Sequence, residues 1–187
     1  MKNVLSALIL VLVLIFLNLA ISEEEVKFAN KNKVVPTTTS ISPVVNRTIS
    51  EEELVSAINT YRIAHGLNSL VLNNSLCVET RKRVKDVSLE NKNKYAADYI
   101  LSHNGMVQDI QQGVLYNLVG KSRYGENIAS AYCRKPSDNQ ELNISNAAEL
   151  MDCFDSSREH KENLLRPDWT DVCSSGEFPF YVQMFAR

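Results

Sequence analysis

The chain has 187 residues, 44% hydrophobic and 22% charged, with 20 Lys and Arg against 22 Asp and Glu for a formal net charge of −2. That composition is globular rather than disordered, and the near balance of charge leaves no footprint for nucleic acid. One domain is the default.

Residues 1–22, MKNVLSALILVLVLIFLNLAIS, place Lys2 ahead of an apolar run from Val4, broken only by Ser6 and Asn18, and end on Ala20-Ile21-Ser22. A basic start, an apolar stretch and small residues at the cleavage positions form a secretory pattern. The run exceeds the ~7–15 residues of an ordinary leader core and approaches the ~18 that span a bilayer. It supports two fates, a cleaved signal peptide or an uncleaved N-terminal membrane anchor. Under either, Lys2 stays cytoplasmic and everything beyond the run is exported; membrane contact is expected only through that anchor. Without residues 1–22 the chain loses Lys2 alone among its charges, leaving 19 basic and 22 acidic residues and a net charge of −3.

Residues 23–49 are polar, rich in Ser and Thr, interrupted by Pro36 and Pro43, and read as a tether. The domain is expected over residues 50–187. At Ser50 the pattern changes to a capping box, Ser50-Glu51-Glu52-Glu53, followed by Leu54, Ala57, Ile58 and Tyr61 on one helical face and Gly66 as a stop. A short extended piece follows, and then an Asn-rich start introduces a second helix with Leu76, Thr80, Val84 and Val87 inside. Its run Arg81-Lys82-Arg83-Val84-Lys85 is read as a solvated basic face.

The stretch Ser88–Asp98 reads as a loop, and Tyr99–Gly105 as a short extended piece. Met106–Val119 is helical in pattern, with Gly113 weakening it. Beyond the polar loop containing Pro136, a helix opens at Ser145 and carries Ala148, Met151 and Phe154. The C-terminal segment reads as two strands joined by a turn around Gly176. In the last of them Phe180, Val182, Met184 and Ala186 alternate with Tyr181, Gln183 and Phe185, so the strand is expected to be covered on both faces. Helices on either side of a small antiparallel sheet are therefore the expected architecture, an α+β fold in three α/β/α layers.

Four cysteines, Cys77, Cys133, Cys153 and Cys173, lie in the exported part, spaced by 56, 20 and 20 residues. An even number in an oxidising compartment implies two disulfides in one of three connectivities, with Cys133–Cys153 as the first choice. No C-x-x-C is present to suggest a zinc ribbon or a redox motif. Sequons occur at Asn46, Asn73 and Asn143.

Three stretches carry side chains suited to a site: Leu101–Gly105 with His103, Tyr124–Ala129 with Glu126 and Asn127, and Asp155–Leu165 with His160. Taken singly, each histidine is an ordinary surface or packing residue. Together they offer two imidazoles for a borderline metal and a carboxylate that orients a water or an imidazole. Other motifs fail. The segment Glu159-His160-Lys161-Glu162-Asn163 lacks the second histidine of H-E-x-x-H, and Ser157, three residues before His160, has no G-x-S-x-G elbow around it. His65, at a helix end, suits the helix dipole, and Trp169 and Tyr181 suit the core or a cleft wall.

The ordered set INTYRIAHGLNSLVLNNSL, His103, GENIA, FDSSREHKENLL and YVQMF resembles the CAP superfamily of SCP-domain proteins, which includes cysteine-rich secretory, antigen 5 and plant pathogenesis-related proteins. The resemblance runs over residues 51–187 and is nearest the compact bacterial secreted type. It implies an α/β/α sandwich with a cleft of two histidines and acidic residues, sometimes holding a divalent metal. Carried over, His103 and His160 are the cleft histidines and Glu126 the acid of the GEN motif, while Asn127 holds its loop. The chain departs from the pattern in three places. Phe154 stands where Trp is frequent, Glu159 where the bacterial form has Gly, and no carboxylate occupies the position of a second cleft acid near Ser157.

Three functions compete. The first is an exported binding module for a lipid, cell-wall or protein ligand. The second is a metal-assisted hydrolase in which His103 and His160 hold a divalent ion, zinc by preference, and Glu126 acts as base. The third is a surface protein without catalysis. A competent zinc site requires the two imidazole nitrogens within roughly 4 Å of each other.

Overall fold

The computed structural model describes residues 48–134 and 141–187, with no side-chain description for Arg134 and Glu141–Asn143. The expected leader, nearly all of the tether, the loop at Pro136 and the sequon at Asn46 lie outside these residues. The described residues fall within one compact unit. Among the described residues no helix is long and apolar enough to cross a membrane.

Helix α1 spans Glu51–Ala64, and its start is the capping box: Ser50 accepts from the Glu53 amide while the Glu53 carboxylate accepts from the Ser50 amide at 3.1 Å. Strand β1, Val71–Leu72, leads into α2, Asn74–Glu90, capped by Asn73. That cap uses the Asn73 side chain fully, since its oxygen takes the Leu76 amide at 3.1 Å and its nitrogen donates to Asp171 at 2.9 Å. A 3-10 turn at Ala96–Asp98 and irregular chain to Ser102 replace the extended piece expected at Tyr99–Gly105. The helix expected at Met106–Val119 is two, α3 over Asn104–Gln111 and α4 over Val114–Val119, because Gly113 between them adopts φ 73°. A left-handed residue cannot continue a right-handed helix.

Strand β2, Tyr124–Ser130, comes from the segment that carries GENIA. Strands β3, Tyr132–Arg134, and β4, Glu141–Asn143, form a separate antiparallel pair. Helix α5, Ala147–Asp155, is capped by Asn146 rather than opened by Ser145, and α6, Arg158–Leu164, follows it directly. Strands β5, Asp171–Glu177, and β6, Phe180–Ala186, close the chain. Gly176 lies inside β5 and not at the turn, which falls at the cis Phe178–Pro179 bond. The Tyr181 ring covers Gly176 so closely that an added Cβ would stand 2.3 Å from it.

The main sheet has the order β1-β5-β6-β2. It is antiparallel as expected except at one edge, where the two residues of β1 pair in parallel with Asp171 and Val172 of β5. Every residue of β6 is buried, and its alternation divides the interior in two. Tyr181 and Phe185 face a core built with Leu54, Ile58, Leu150, Phe154, Leu164 and Trp169 from the α1, α5 and α6 side. Phe180, Val182, Met184 and Ala186 face another built with Leu76, Val84, Val87, Met106 and Leu115 from α2, α3 and α4. Three layers follow from the period-two pattern of one strand.

Two disulfides tie the layers. Cys133–Cys153 is the expected pair, and Cys77–Cys173 joins α2 to β5 across 96 residues of sequence. In the chain-entropy picture a loop of about 100 residues gains about 4–5 kcal/mol from its closure.

Candidate functional site

The site grows from three consecutive residues of β2. Gly125 has no side chain, and it needs none: a Cβ there would stand 2.6 Å from Asn163 Oδ1 and 2.7 Å from Trp169 Cζ2, so glycine lets α6 close onto the strand. Glu126 and Asn127, being neighbours on a strand, point to opposite faces of the sheet.

On the face covered by α2 and α3, the Glu126 carboxylate is fully enclosed, with a side-chain exposure of 0%. Arg83 Nε donates to its Oε1 at 2.9 Å, and His103 Nδ1 lies 2.9 Å from its Oε2. A carboxylate only accepts, so Nδ1 is the donor, and Nε2 is left outside this hydrogen bond. Arg83 also donates to the Ser102 carbonyl at 3.0 Å, fixing the residue before His103. Burial works against the Arg83 charge, yet the Glu126 hydrogen bond and charge outweigh it and raise its pKa. Arg83 therefore corrects the sequence expectation: within the basic run on α2 it is buried, not solvated.

On the opposite face Asn127 makes three hydrogen bonds. Its amide nitrogen donates to the His160 carbonyl at 3.2 Å and to Gln183 Oε1 at 3.1 Å, and its oxygen accepts from Asn163 at 3.0 Å. Trp169 Nε1 donates to the Asn163 carbonyl at 3.0 Å, extending the support to the core. The His160 ring meets Phe154 edge-on at 5.2 Å between centroids, so the ring packing expected of the Trp position survives in Phe154. Burial, with the neighbouring His103 second, holds the His160 pKa below the usual imidazole value of 6.5. At neutral pH it is an uncharged ring.

Both histidines line one cleft of about 320 Å³ together with Glu126, Asn127, Glu159, Glu162, Asn163 and Arg166. The structure thus brings together the three residues singled out from sequence. Glu159 stays at the rim: its side chain is 72% exposed and pairs with Arg158 at 3.0 Å. The structure adds Arg83, Asn163 and Arg166. Arg166 stacks over Trp169 at 5.0 Å and pairs through Nε with Asp168 at 2.8 Å. Arg123 and Arg187 also reach Asp168, at 3.4 and 3.0 Å, so three guanidinium groups share one carboxylate at that end of the cleft. Arg83 carried a signal in the sequence: it lies seven residues after Leu76 and four before Val87, on the buried stripe of α2.

Both Glu126 oxygens are engaged and its side chain is sealed, so the carboxylate meets Arg83 and His103 and does not open onto the cleft. Nor do His103, Glu126 and His160 close up as a trio: among the described residues, the set of three His, Cys or carboxylate ligand atoms within 4.8 Å of one another is Glu51, Cys77 and Cys173. The two sulfurs of that set are joined to each other. The donors that remain for a divalent ion in the cleft are the two imidazoles, with Glu159 and Glu162 at the rim. Their chemistry fits zinc, for which neutral imidazole is a normal ligand.

An extracellular protein containing an SCP domain from Bacillus anthracis str. Ames is similar at 24% identity and TM-score 0.49, covering 73% of this chain and 40% of that one. A cysteine-rich secretory protein from Staphylococcus aureus subsp. aureus Mu50 is similar at 14% identity and TM-score 0.52, covering 71% of this chain and 36% of that one, a likeness of fold. An outer surface protein from Borrelia burgdorferi shows 17% identity and TM-score 0.47, over 73% of this chain and 90% of that one. The chain therefore spans well under half the length of the first two of these proteins. No curated protein sequence matches it. Residues 55–174, more than half of the chain, match the family described as CAP, the cysteine-rich secretory protein family, and the chain belongs to that family.

Proposed function

We propose that the chain is an exported binding module that takes its ligand in the cleft between His103 and His160. The observation that carries this reading is the commitment of Glu126. With its carboxylate shared between Arg83 and His103 and closed to solvent, Glu126 braces a histidine instead of facing a ligand, and the cleft meets a ligand with imidazole, amide and main-chain groups, its exposed carboxylates Glu159 and Glu162 being at the rim. The secretory pattern of residues 1–22 and the two disulfides support export. Lipid, cell-wall fragment and protein segment are the ligand classes to be tested.

Thermal unfolding of Pro43–Arg187 is measured with phosphatidylglycerol vesicles, soluble muropeptides or peptides added. A ligand of the cleft raises the midpoint of the wild type and leaves a His103→Ala/His160→Ala variant unmoved. Equal shifts in both proteins, or turnover of any of these probes that disappears in the variant, would displace the binding-module reading.

A second reading has its own support, since His103 is anchored through Nδ1 and lines the cleft, as does His160, whose burial favours the neutral ring. In it the two imidazoles hold a divalent ion, which when bound supplies a Lewis acid to a ligand oxygen. Calorimetric titration with zinc is expected to give heat in the wild type that is lost in the double variant. Identical heats from the two proteins would remove the metal site.

A further inference from the structure

The two histidines reach one cleft from opposite faces of β2, because Glu126 holds His103 on one face and Asn127 holds α6 on the other. A cleft lined from both faces of a strand lies across that strand's edge. One edge of β2 is paired with β6, and no strand pairs with the other among the described residues.

The hydrogen-bond register says what that edge presents. Arg123 and Arg187 exchange both main-chain bonds, Arg123 N to Arg187 O at 3.2 Å and Arg187 N to Arg123 O at 3.1 Å. In an antiparallel ladder such pairs recur at every second residue. Gly125, Asn127 and Ala129 thus bond to β6, and Tyr124, Glu126 and Ile128 turn their N–H and C=O groups the other way; Ile128 is 2% exposed, and Glu126 is the one of these three that lines the cleft. Glu126 lines the cleft although its side chain is 0% exposed, while the residue as a whole is 6% exposed. What it shows to the cleft is main chain.

Charge is graded along the same edge. Asn127 lies beside His160, Gly125 beside Asn163, and Arg123 beside Asp168 and its neighbours, so α6 and the loop after it follow β2 in reverse order. The acidic Glu159 and Glu162, both exposed, precede Asn163 on α6 and so fall on the Asn127 side of it. Arg166 and Arg123, each joined to Asp168 through a single nitrogen and keeping other N–H donors, stand at the Arg123 end with Arg187. From Glu126 to Arg123 is three residues, about 10 Å of strand.

Resting on the binding-module reading, and naming its ligand, we propose that the cleft receives an extended acidic peptide, which pairs with the free edge of β2 through the Glu126 N–H and C=O and sets its acidic end against Arg166 and Arg123. Main-chain bonds then supply affinity for any extended segment, while the two imidazoles and the arginines select its side chains. His103 and His160 flank the peptide residue opposite Glu126. An acidic side chain or terminal carboxylate three or four positions along meets the guanidinium groups.

The probe is a random heptapeptide phage library, selected on Pro43–Arg187 and counter-selected on His103→Ala/His160→Ala. Enriched peptides are synthesised with a single N-methyl group at each position in turn, which removes one donor and leaves the protein untouched. Strand addition predicts a loss of at least tenfold in affinity at the one position whose N–H meets the Glu126 C=O and little at its two neighbours, a shift of the Glu126 amide resonance on binding, and about tenfold weaker binding to Arg166→Gln, fading in high salt. Failure to enrich any cleft-dependent peptide, or an N-methyl scan with no sensitive position or with adjacent positions equally sensitive, overturns the proposal. Should muropeptides or vesicles bind the cleft while no peptide does, the binding module stands and strand addition falls. The N-methyl scan uses wild-type protein alone, so its outcome does not depend on how well a variant folds.

Discussion

The two sides of β2 hold their histidines by different physics. His103 is fixed by charge, through a carboxylate and a guanidinium both withdrawn from water. His160 is fixed by neutral groups: its carbonyl takes the Asn127 amide and its ring rests against the edge of Phe154. Charge gives a strong hold at the cost of desolvating two ions, so it fails badly when one partner is lost. Amides and aromatic packing fail in smaller steps. The same cleft thus has a brittle wall and a compliant one.

Breaking the brittle wall is expected to have the largest effect. Arg83→Met leaves the enclosed Glu126 carboxylate without its cation, and urea unfolding should show a loss of about 3–5 kcal/mol. Adding Glu126→Gln to that variant should recover part of the loss, because the stranded charge is then gone. Additive losses would contradict the coupling of the pair. On the compliant side Asn127→Ala strands the Gln183 and Asn163 side-chain amides and the His160 carbonyl, and the same measurement should show about 1–3 kcal/mol. If Asn127→Ala proved as damaging as Arg83→Met, the contrast between the walls would disappear.

A smaller effect follows from acidity. The folded state lowers the His160 pKa below 6.5, so it binds fewer protons there than the unfolded chain does at mildly acidic pH. The stabilisation from neutral His160 is complete above about pH 6.5 and is lost as pH falls from there through the folded value. The groups facing the ring are Phe154, the His103 imidazole and the Glu159 carboxylate, the last of which opposes the shift. Unfolding midpoints measured between pH 5 and 8 should therefore decline less steeply toward acid in His160→Gln than in the wild type. Parallel curves would remove the claim. Smallest of all, Glu159→Gln should leave the unfolding midpoint unchanged, since the carboxylate is exposed at the rim.

The elements read most clearly from sequence are those whose pattern is local. The capping box at Ser50, the stripe of Leu76, Thr80, Val84 and Val87, and the two buried faces of β6 all appear as expected. Strand β2 carries no such local pattern, because its conformation is decided by pairing with β6, some 60 residues away in the chain. The order of His103, Glu126 and His160 along the chain points to their sharing a cleft, but not to what holds Glu126. Whether a carboxylate faces water or is locked beneath a histidine depends on an arginine from another helix. That arginine was hidden in a charged run, where composition argued for solvent and only helical phase argued for the interior.

The disulfide between Cys77 and Cys173 closes a covalent ring, and every cleft residue from Arg83 through Arg166 lies within it. The second bridge, Cys133–Cys153, is nested inside the first. A single protease cut between Cys77 and Cys173 would accordingly divide the polypeptide without dividing the molecule, leaving both walls on one particle until the bridges are reduced. For a protein read as working outside the cell, where cutting is frequent and repair absent, the cleft is built to survive being nicked.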